Sequence, residues 1–121
     1  MIKTSNSKQY DLEERTLNFA KAVRDFVGKL PKMAANFEYI RQLIRSSGSV
    51  GANYIEANES LSRKDFGMRV KICRKEAKES RYWLNLMDIG KDLDLDLERE
   101  ELISEATQLT KIFGSIVEGS K

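Results

Sequence analysis

A single proline, Pro31, is the strongest helix breaker in a chain of 121 residues. Proline lacks a backbone N–H and clashes with the preceding helical turn, so its near absence leaves long stretches free to form helix. Apolar residues recur at three- and four-residue intervals on both sides of Pro31, which is the spacing of one helical face. The sequence therefore predicts an all-α chain in which Pro31 marks a helix boundary and can start the next helix.

Four amphipathic segments can be placed on this pattern. Asp11 with Glu14 and Ser62 with Asp65 have the spacing of a capping box, and Gly90 is expected to cap the third helix. Short connections between four such helices predict one domain, an antiparallel up-and-down four-helix bundle. The second and third helices, near 28 residues or roughly 40 Å each, are expected to form a long hairpin that projects past the other pair. The expected helices cover about residues 11–29, 32–60, 63–89 and 97–118.

The same spacing predicts which face of each helix is buried. Ile72, Trp83 and Leu86 lie off the expected stripe of the third helix and widen its apolar surface, which favours packing of a second protomer. The expected core face of the first helix is Leu17, Ala20, Val23, Val27 and Leu30. That of the second is Met33, Phe37, Ile40, Ile44, Ser47, Gly51, Tyr54 and Asn58.

The stretch "SSGSVGA" (46–52) resembles a phosphate-binding loop in composition, but the helical spacing continues through it. A Walker loop needs Lys after its second Gly, and Ala52 follows Gly51 here. We therefore expect the interior of a helix, in which Ser47 and Gly51 allow close approach of a neighbouring helix. The alternative is a kink or break at Gly48.

The residue types argue against an enzyme. The chain has no His and one Cys, Cys73, so the commonest general base and the usual zinc ligands are missing. Asp94 and Asp96 are expected to favour a helix N-terminus, because Leu97 and Ile103 stand where a calcium loop needs Gly and Glu. No cofactor and no metal are expected. A reducing cytoplasm fits the lone thiol, and no apolar stretch has the roughly 18 residues that would indicate a membrane span.

Charge is segregated along the chain although the net charge is only +2. Residues 63–81 hold eight basic and three acidic residues, whereas residues 88–105 hold eight acidic and two basic ones. Such segregation indicates an anionic partner or self-association of opposite faces. On the third helix Lys64, Lys71, Lys75 and Lys78 fall within about 60° of one another.

This basic stripe is a candidate for contacts with phosphates of RNA or DNA. It lacks interleaved aromatic residues, so binding is expected to involve the backbone and to tolerate any sequence. The alternative is a solvated helix face. The nucleic-acid-binding candidates are Lys64, Lys71, Arg74, Lys75, Lys78 and Arg81.

A polar stripe runs along the second helix within a sector of roughly 80°. Its short, neutral members Ser49 and Asn53 are weak helix formers, whereas a solvent face more often carries Lys, Glu or Gln. Two interpretations remain open, a solvated face and a hydrogen-bonded subunit contact. The stripe consists of Gln42, Arg45, Ser49, Asn53 and Glu56.

These residues carry a resemblance to a known family. The run Gln42-x-x-Arg45-x-x-x-Ser49-Val50-x-x-Asn53-x-x-Glu56-Ala57, followed by "SRKDF" (62–66) and "KEAKESRYWLNLM" (75–87), resembles the proteins of the 23S rRNA intervening-sequence family. That family is often labelled ribosomal-protein-like and is related to the accessory variability proteins of diversity-generating retroelements. The resemblance covers about residues 10–118. Ala57 stands where Gly is common.

The resemblance implies a bacterial four-helix bundle that assembles into a homopentameric, barrel-like ring. It also implies RNA or DNA, or a nucleic-acid-handling protein, as the partner, and it carries no enzymatic activity. Two functions follow as hypotheses. One is an oligomeric module that binds nucleic acid through the basic stripe, and the other is a protein–protein interaction scaffold or accessory subunit without direct nucleic-acid contact.

Overall fold

Four α-helices of nearly equal length form the molecule. The computed structural model describes the backbone of residues 4–121 and the side chains of residues 12–121. Over the described backbone there is no strand, so the all-α prediction is confirmed. The helices are α1 (Thr4–Val27), α2 (Ala34–Asn58), α3 (Arg63–Leu86) and α4 (Leu93–Gly119).

The helices pack as an antiparallel bundle. α2 lies between α1 and α3, and α4 closes the bundle against α3 and α1, so that α1 and α3 are diagonal neighbours. Antiparallel packing is visible where α1 meets α2. Asn58 donates a hydrogen bond to Glu13 at 2.8 Å, and Gly51, two turns earlier in α2, faces Thr16, one turn later in α1.

Several expected helix limits are wrong. α1 begins before Asp11, so Asp11 and Glu14 do not form a capping box at its start. α2 begins at Ala34, which leaves Pro31 in the connection. α3 ends at Leu86, and Gly90, with a φ of +69°, lies in the following turn rather than at the cap. The four helices have 24, 25, 24 and 27 residues, so no hairpin of α2 and α3 is longer than the other pair.

Side-chain caps explain where α3 and α4 begin. The Ser62 hydroxyl accepts a hydrogen bond from the backbone N–H of Asp65 at 3.0 Å, as the sequence predicts. The Asp92 carboxylate accepts from the N–H of Leu95 at 3.1 Å, so α4 starts four residues before the expected Leu97. Asp94 and Asp96 fall in the first turn of α4, where their negative charge stabilises the helix N-terminus.

The core faces of α1 and α2 are rotated from the expected ones. In α2 the buried apolar residues are Leu43, Val50, Tyr54 and Ala57, whereas Phe37 and Ile44 are 55% and 42% exposed. In α1, Phe19 and Phe26 are buried and Leu17 is half-exposed. The expected and observed faces overlap, because Val23 and Leu30 of the first and Ser47 and Tyr54 of the second expected face are buried as predicted.

The stretch of residues 45–56 is continuous helix, so the helical interpretation is confirmed and no break occurs at Gly48. Gly51 faces α1 so closely that an added Cβ atom would lie 2.8 Å from the hydroxyl oxygen of Thr16. Ser47 is fully buried on the same side. Gly48 faces outward, with no atom within 4 Å of an added Cβ.

Asn36 joins the two connections at one end of the bundle. Its side-chain nitrogen donates to the carbonyls of Pro31 and Asp88, at 3.1 and 2.8 Å, and its side-chain oxygen accepts from the N–H of Asp88 at 3.0 Å. The side chain is completely buried. Its bonds satisfy backbone N–H and C=O groups that lie outside the helices and so have no hydrogen-bond partner within a helix. The α1–α2 and α3–α4 connections are therefore held together.

No helix in the described part of the chain combines the length and the apolar character needed to cross a membrane.

Candidate nucleic-acid interface

The outer face of α3 is set by the residues that the helix buries. Val70, Cys73, Ala77 and Leu84 point into the core and are completely buried. Lys64, Lys71, Lys75 and Lys78 lie about 100° to 180° around the helix from this face, so they are turned to solvent. All four are exposed, and the line from Lys64 to Lys78 spans 14 residues, or roughly 21 Å.

The charges of this basic stripe are not neutralised by any carboxylate among the described side chains. In the structure from residue 12 onward, no carboxylate lies within 4 Å of the charged atoms of the six candidate residues. Arg81 is exposed, and half-buried Arg74 runs along α4, with its Cδ atom 3.7 Å from a Cβ added at Gly114. By contrast, Arg24 of α1 and Lys29 of the α1–α2 connection are paired with Asp25 and Glu98.

The stripe opens at one end into a shallow depression between the start of α3 and the end of α4, with a volume of about 260 Å³. The two helices approach closely here, because a Cβ added at Gly67 would lie 3.1 Å from the hydroxyl oxygen of Ser120. Helical spacing does not reveal this site in the sequence, because Lys121 lies 57 residues from Lys64 along the chain. Four cationic side chains line the depression: Arg63, Lys64, Lys71 and Lys121.

Aromatic rings lie at the opposite end of the stripe. Tyr82 is 60% exposed and meets the neighbouring Trp83 edge to face, with ring centroids 5.1 Å apart. Trp83 in turn stacks on Tyr39 of α2 at 6.1 Å. Tyr82 follows Lys78 by four residues and falls inside the 60° sector of the lysines. No aromatic residue is interleaved between Lys64 and Lys78 in this sector, but the exposed Tyr82 continues the stripe beyond Lys78.

The side chains of the α2 polar stripe form ion pairs and hydrogen bonds mainly with other residues of the same chain. Arg45 reaches α3, where its guanidinium lies 2.9 Å from Glu79 and 3.2 Å from Glu76. Asn53 accepts a hydrogen bond from Arg69 of α3 at 3.1 Å, and it donates one to the Ser49 carbonyl at 2.9 Å.

The other two members of the stripe are less constrained. Gln42 donates to Glu38 one turn earlier, and Glu56 is exposed. The family motif thus joins α2 to α3 within one protomer, and a subunit contact through this stripe stays a prediction.

A buried polar cluster lies beneath this α2–α3 contact. The hydroxyls of Ser46 and Ser80 are 2.8 Å apart, and that of Ser80 also donates to the carbonyl of Glu76 at 2.9 Å. The Glu76 side chain is only 5% exposed, and its nearest cation is Arg45. Glu76 Oε1 accepts no hydrogen bond from the described residues, so it depends on the charge of Arg45 alone.

The acidic part of the chain lines a groove between α1 and α4 with a volume of about 1010 Å³. Arg15 pairs with Glu105 at 2.7 Å and Lys29 with Glu98 at 2.8 Å across the groove. These hydrogen-bonded carboxylates raise the pKa of Arg15 and of Lys29 above their usual values. The acidic lining outnumbers the two bases and consists of Glu14, Asp25, Asp94, Glu98, Glu101 and Glu105.

A line of apolar residues on α2 is left uncovered in the single chain. Phe37, Ile44 and Ile55 are 55%, 42% and 50% exposed, and outward-facing Gly48 lies between them. Their separations of 7, 4 and 7 residues keep them within about 40° on the helix, over roughly 27 Å. This α2 apolar line faces away from α3, so it is separate from the basic stripe.

The one thiol of the chain lies in the core. Cys73 is completely buried, and burial raises its pKa to about 12 from the usual 9.0. A thiol in this environment stays protonated at neutral pH and is a poor nucleophile. Among the described side chains, no three acidic or cysteine residues converge into a set that could hold a metal ion.

Comparison with known proteins gives the family. The family model for the 23S rRNA-intervening sequence protein matches residues 8–115. The chain belongs to this family, and the resemblance carried by the α2 motif is confirmed.

A solved structure is similar over nearly the whole chain. It is the crystal structure of a protein of unknown function from the S23 ribosomal protein family of Bacteroides thetaiotaomicron, with a TM-score of 0.77 and 30% sequence identity. The similarity covers 92% of this chain and 98% of that one. No protein with a curated description matches the sequence significantly.

Proposed function

We propose that the protein is a non-catalytic, oligomeric four-helix module that binds the backbone of RNA or DNA through the basic stripe of α3. The observation that carries this proposal is the line of exposed lysines, which have no carboxylate partner among the side chains of residues 12–121, together with the cationic depression at its end. Phosphate contacts from Lys and Arg supply most of non-specific nucleic-acid affinity.

Oligomerisation would increase the affinity of this surface for nucleic acid. A duplex carries about one charge per 1.7 Å, so the four lysines of one protomer would neutralise only a minority of the phosphates along roughly 21 Å. Several stripes on one assembly would act together and raise the effective concentration of each contact. The α2 apolar line supports such an assembly, because packing it against another protomer leaves the outer face of α3 free. The number five rests on the family resemblance.

The test is a salt titration of nucleic-acid affinity. Neutralised phosphates release counterions, so the logarithm of affinity falls linearly with the logarithm of salt concentration, by about 0.7 per contact on single strands and 0.9 on duplex DNA. Changing Lys71, Lys75 and Lys78 to Gln should therefore flatten the slope by roughly two to three units. Fluorescence anisotropy with labelled oligonucleotides measures both affinity and slope.

The matched control removes the same charge elsewhere. Lys21, Lys32 and Lys91 are exposed and lie outside α3, so their change to Gln should leave the slope nearly unaltered. Wild-type protein without any salt-sensitive affinity would contradict the proposal. Equal slopes in the wild type and the α3 variant would place the binding surface elsewhere.

A second candidate function is a protein–protein scaffold in which the basic stripe docks into the acidic groove of another copy. The groove runs along α1 from Glu14 to Asp25, roughly 16 Å, and continues to Lys29 in the following connection, so it can hold most of the roughly 21 Å of the stripe. In that case Lys71, Lys75 and Lys78 changed to Glu would break the assembly. Mixing this variant with one carrying Lys at Glu14, Asp94 and Glu101 would restore it, as measured by light scattering.

A further inference from the structure

We propose that Tyr82 is a base-stacking platform at the end of the basic stripe, so that the ligand is single-stranded nucleic acid with an unpaired base at this point. The inference rests on the proposed function and narrows it. A duplex keeps its bases stacked on one another, whereas every unpaired base offers a π-face to an exposed ring.

The position of Tyr82 suits this role. It lies one helical turn, about 6 Å, beyond Lys78 and within the sector of the lysines, so a strand whose phosphates follow the stripe would bring a base to the ring. Tyr82 is 60% exposed, so it can be reached from solvent. Leu86, 39% exposed and one turn further, extends the apolar surface beyond the ring.

The ring is also held in place before any ligand arrives. Tyr82 meets Trp83 at an interplanar angle of 77°, and Trp83 stacks on half-buried Tyr39 at 28°. Aromatic pairs favour these two arrangements. A side chain that is supported in this way loses little conformational freedom on binding, so more of the stacking energy contributes to affinity.

Together the two ends of α3 form a binding surface for a single strand of nucleic acid. Cationic side chains at the Lys64 end contact phosphates, and a ring at the Tyr82 end contacts a base, over roughly 27 Å of helix. This combination of a charged path and an aromatic platform is typical of sequence-tolerant single-strand binding. RNA and DNA strands share this chemistry, and both are used in the test.

The experiment compares ligands with and without bases. Affinities of the full chain are measured by fluorescence anisotropy for oligo-dT and oligo-U 20-mers, an abasic 20-mer and a duplex of the same length. Base–aromatic stacking lost on alanine substitution corresponds to about five-fold to about 150-fold in affinity. Tyr82→Ala should show a loss in this range on dT and U, less than two-fold change on the abasic strand and the duplex, and an unchanged salt slope. Tyr82→Phe should retain wild-type affinity.

The fluorescence emission of Trp83 provides an independent measurement, because it is the only tryptophan in the chain. A base on Tyr82 lies next to the indole and should change its emission when dT or U binds, but not when the abasic strand binds. Leu17, 52% exposed on α1, provides a control, since Leu17→Ala removes apolar surface on the helix diagonal to α3. That variant should bind all four ligands as the wild type does.

Three results would overturn the inference. Wild-type protein that binds none of the ligands overturns it together with the proposed function. Salt-sensitive binding that is equal for wild type and Tyr82→Ala on dT and U overturns the stacking role and leaves the proposed function standing. A change in particle mass on Tyr82→Ala, measured by light scattering, assigns the ring to packing between protomers instead.

Discussion

Two glycines three residues apart in α2 meet opposite surroundings. A Cβ added at Gly51 would lie 2.8 Å from the Thr16 hydroxyl oxygen and 3.2 Å from its Cβ, whereas one added at Gly48 meets nothing within 4 Å. Gly51→Ala should therefore lower the free energy of unfolding by about 1–3 kcal/mol, because α1 has to move away. Gly48→Ala should raise it by up to about 1 kcal/mol through helix propensity alone.

Chemical denaturation of the two variants checks this pair, since both changes add the same methyl group to the same helix. Equal effects on stability would mean that α1 does not approach α2 at Gly51.

Gly51 and Tyr82 show which structural features helical spacing in the sequence could predict and which it could not. The unbroken spacing through "SSGSVGA" was sufficient to place Gly51 inside a helix. Tyr82 continues the spacing of Lys71, Lys75 and Lys78, so its place on the stripe was available from the sequence. Its exposure was not, because exposure depends on how Trp83 and Tyr39 pack beside it.

At the scale of the element, the number and type of helices followed from the spacing, but the rotation of α2 did not. Ile44 and Leu43 belong to two apolar lines with equally good helical spacing, and only the position of α1 and α3 decides which line is buried. Helix ends were also uncertain. The run "DLDLD" (92–96) alternates polar and apolar residues, which does not indicate a helix, and it is therefore predicted to be a connection. Because Asp92 caps the helix, residues 93–96 form the first turn of α4.

The pairing of α2 with α3 can be tested at Arg45. Removing this side chain leaves Glu76, 5% exposed, without its nearest cation. Arg45→Ala should lower the free energy of unfolding by about 1–3 kcal/mol, since an unpaired buried charged group keeps its full desolvation penalty. Urea denaturation provides the measurement.

Glu79→Ala is the matched control. It removes the more exposed partner of Arg45 and leaves the contact with Glu76, so it should cost less than about 1 kcal/mol. If Arg45→Ala costs no more than this control, the buried carboxylate does not need its partner.

At the scale of the whole molecule, assembly is expected through the α2 apolar line. Ile44→Glu places a charge in the middle of that line and should convert an oligomer into monomers, measured as particle mass by light scattering at micromolar concentration. The fold should persist because Ile44 is 42% exposed in the single chain. Circular dichroism checks that the helices remain.

Leu93→Glu introduces the same charge at an apolar residue of α4 that is 78% exposed and lies outside both the α2 apolar line and the acidic groove. Its mass should equal that of the wild type. A wild-type monomer at all micromolar concentrations would refute assembly altogether.

The buried Asn36 has a consequence for the order in which the bundle forms and comes apart. Its bonds to Asp88 join positions 52 residues apart and require both connections to be in place, so they are expected to form after the transition state for folding. Interactions that form late govern the unfolding rate. Asn36→Ala should therefore unfold faster than the wild type and fold at an almost unchanged rate, as measured by stopped-flow chevron experiments. One amide would thereby set the kinetic lifetime of the bundle, and a variant that slowed folding instead would show that the two connections meet early.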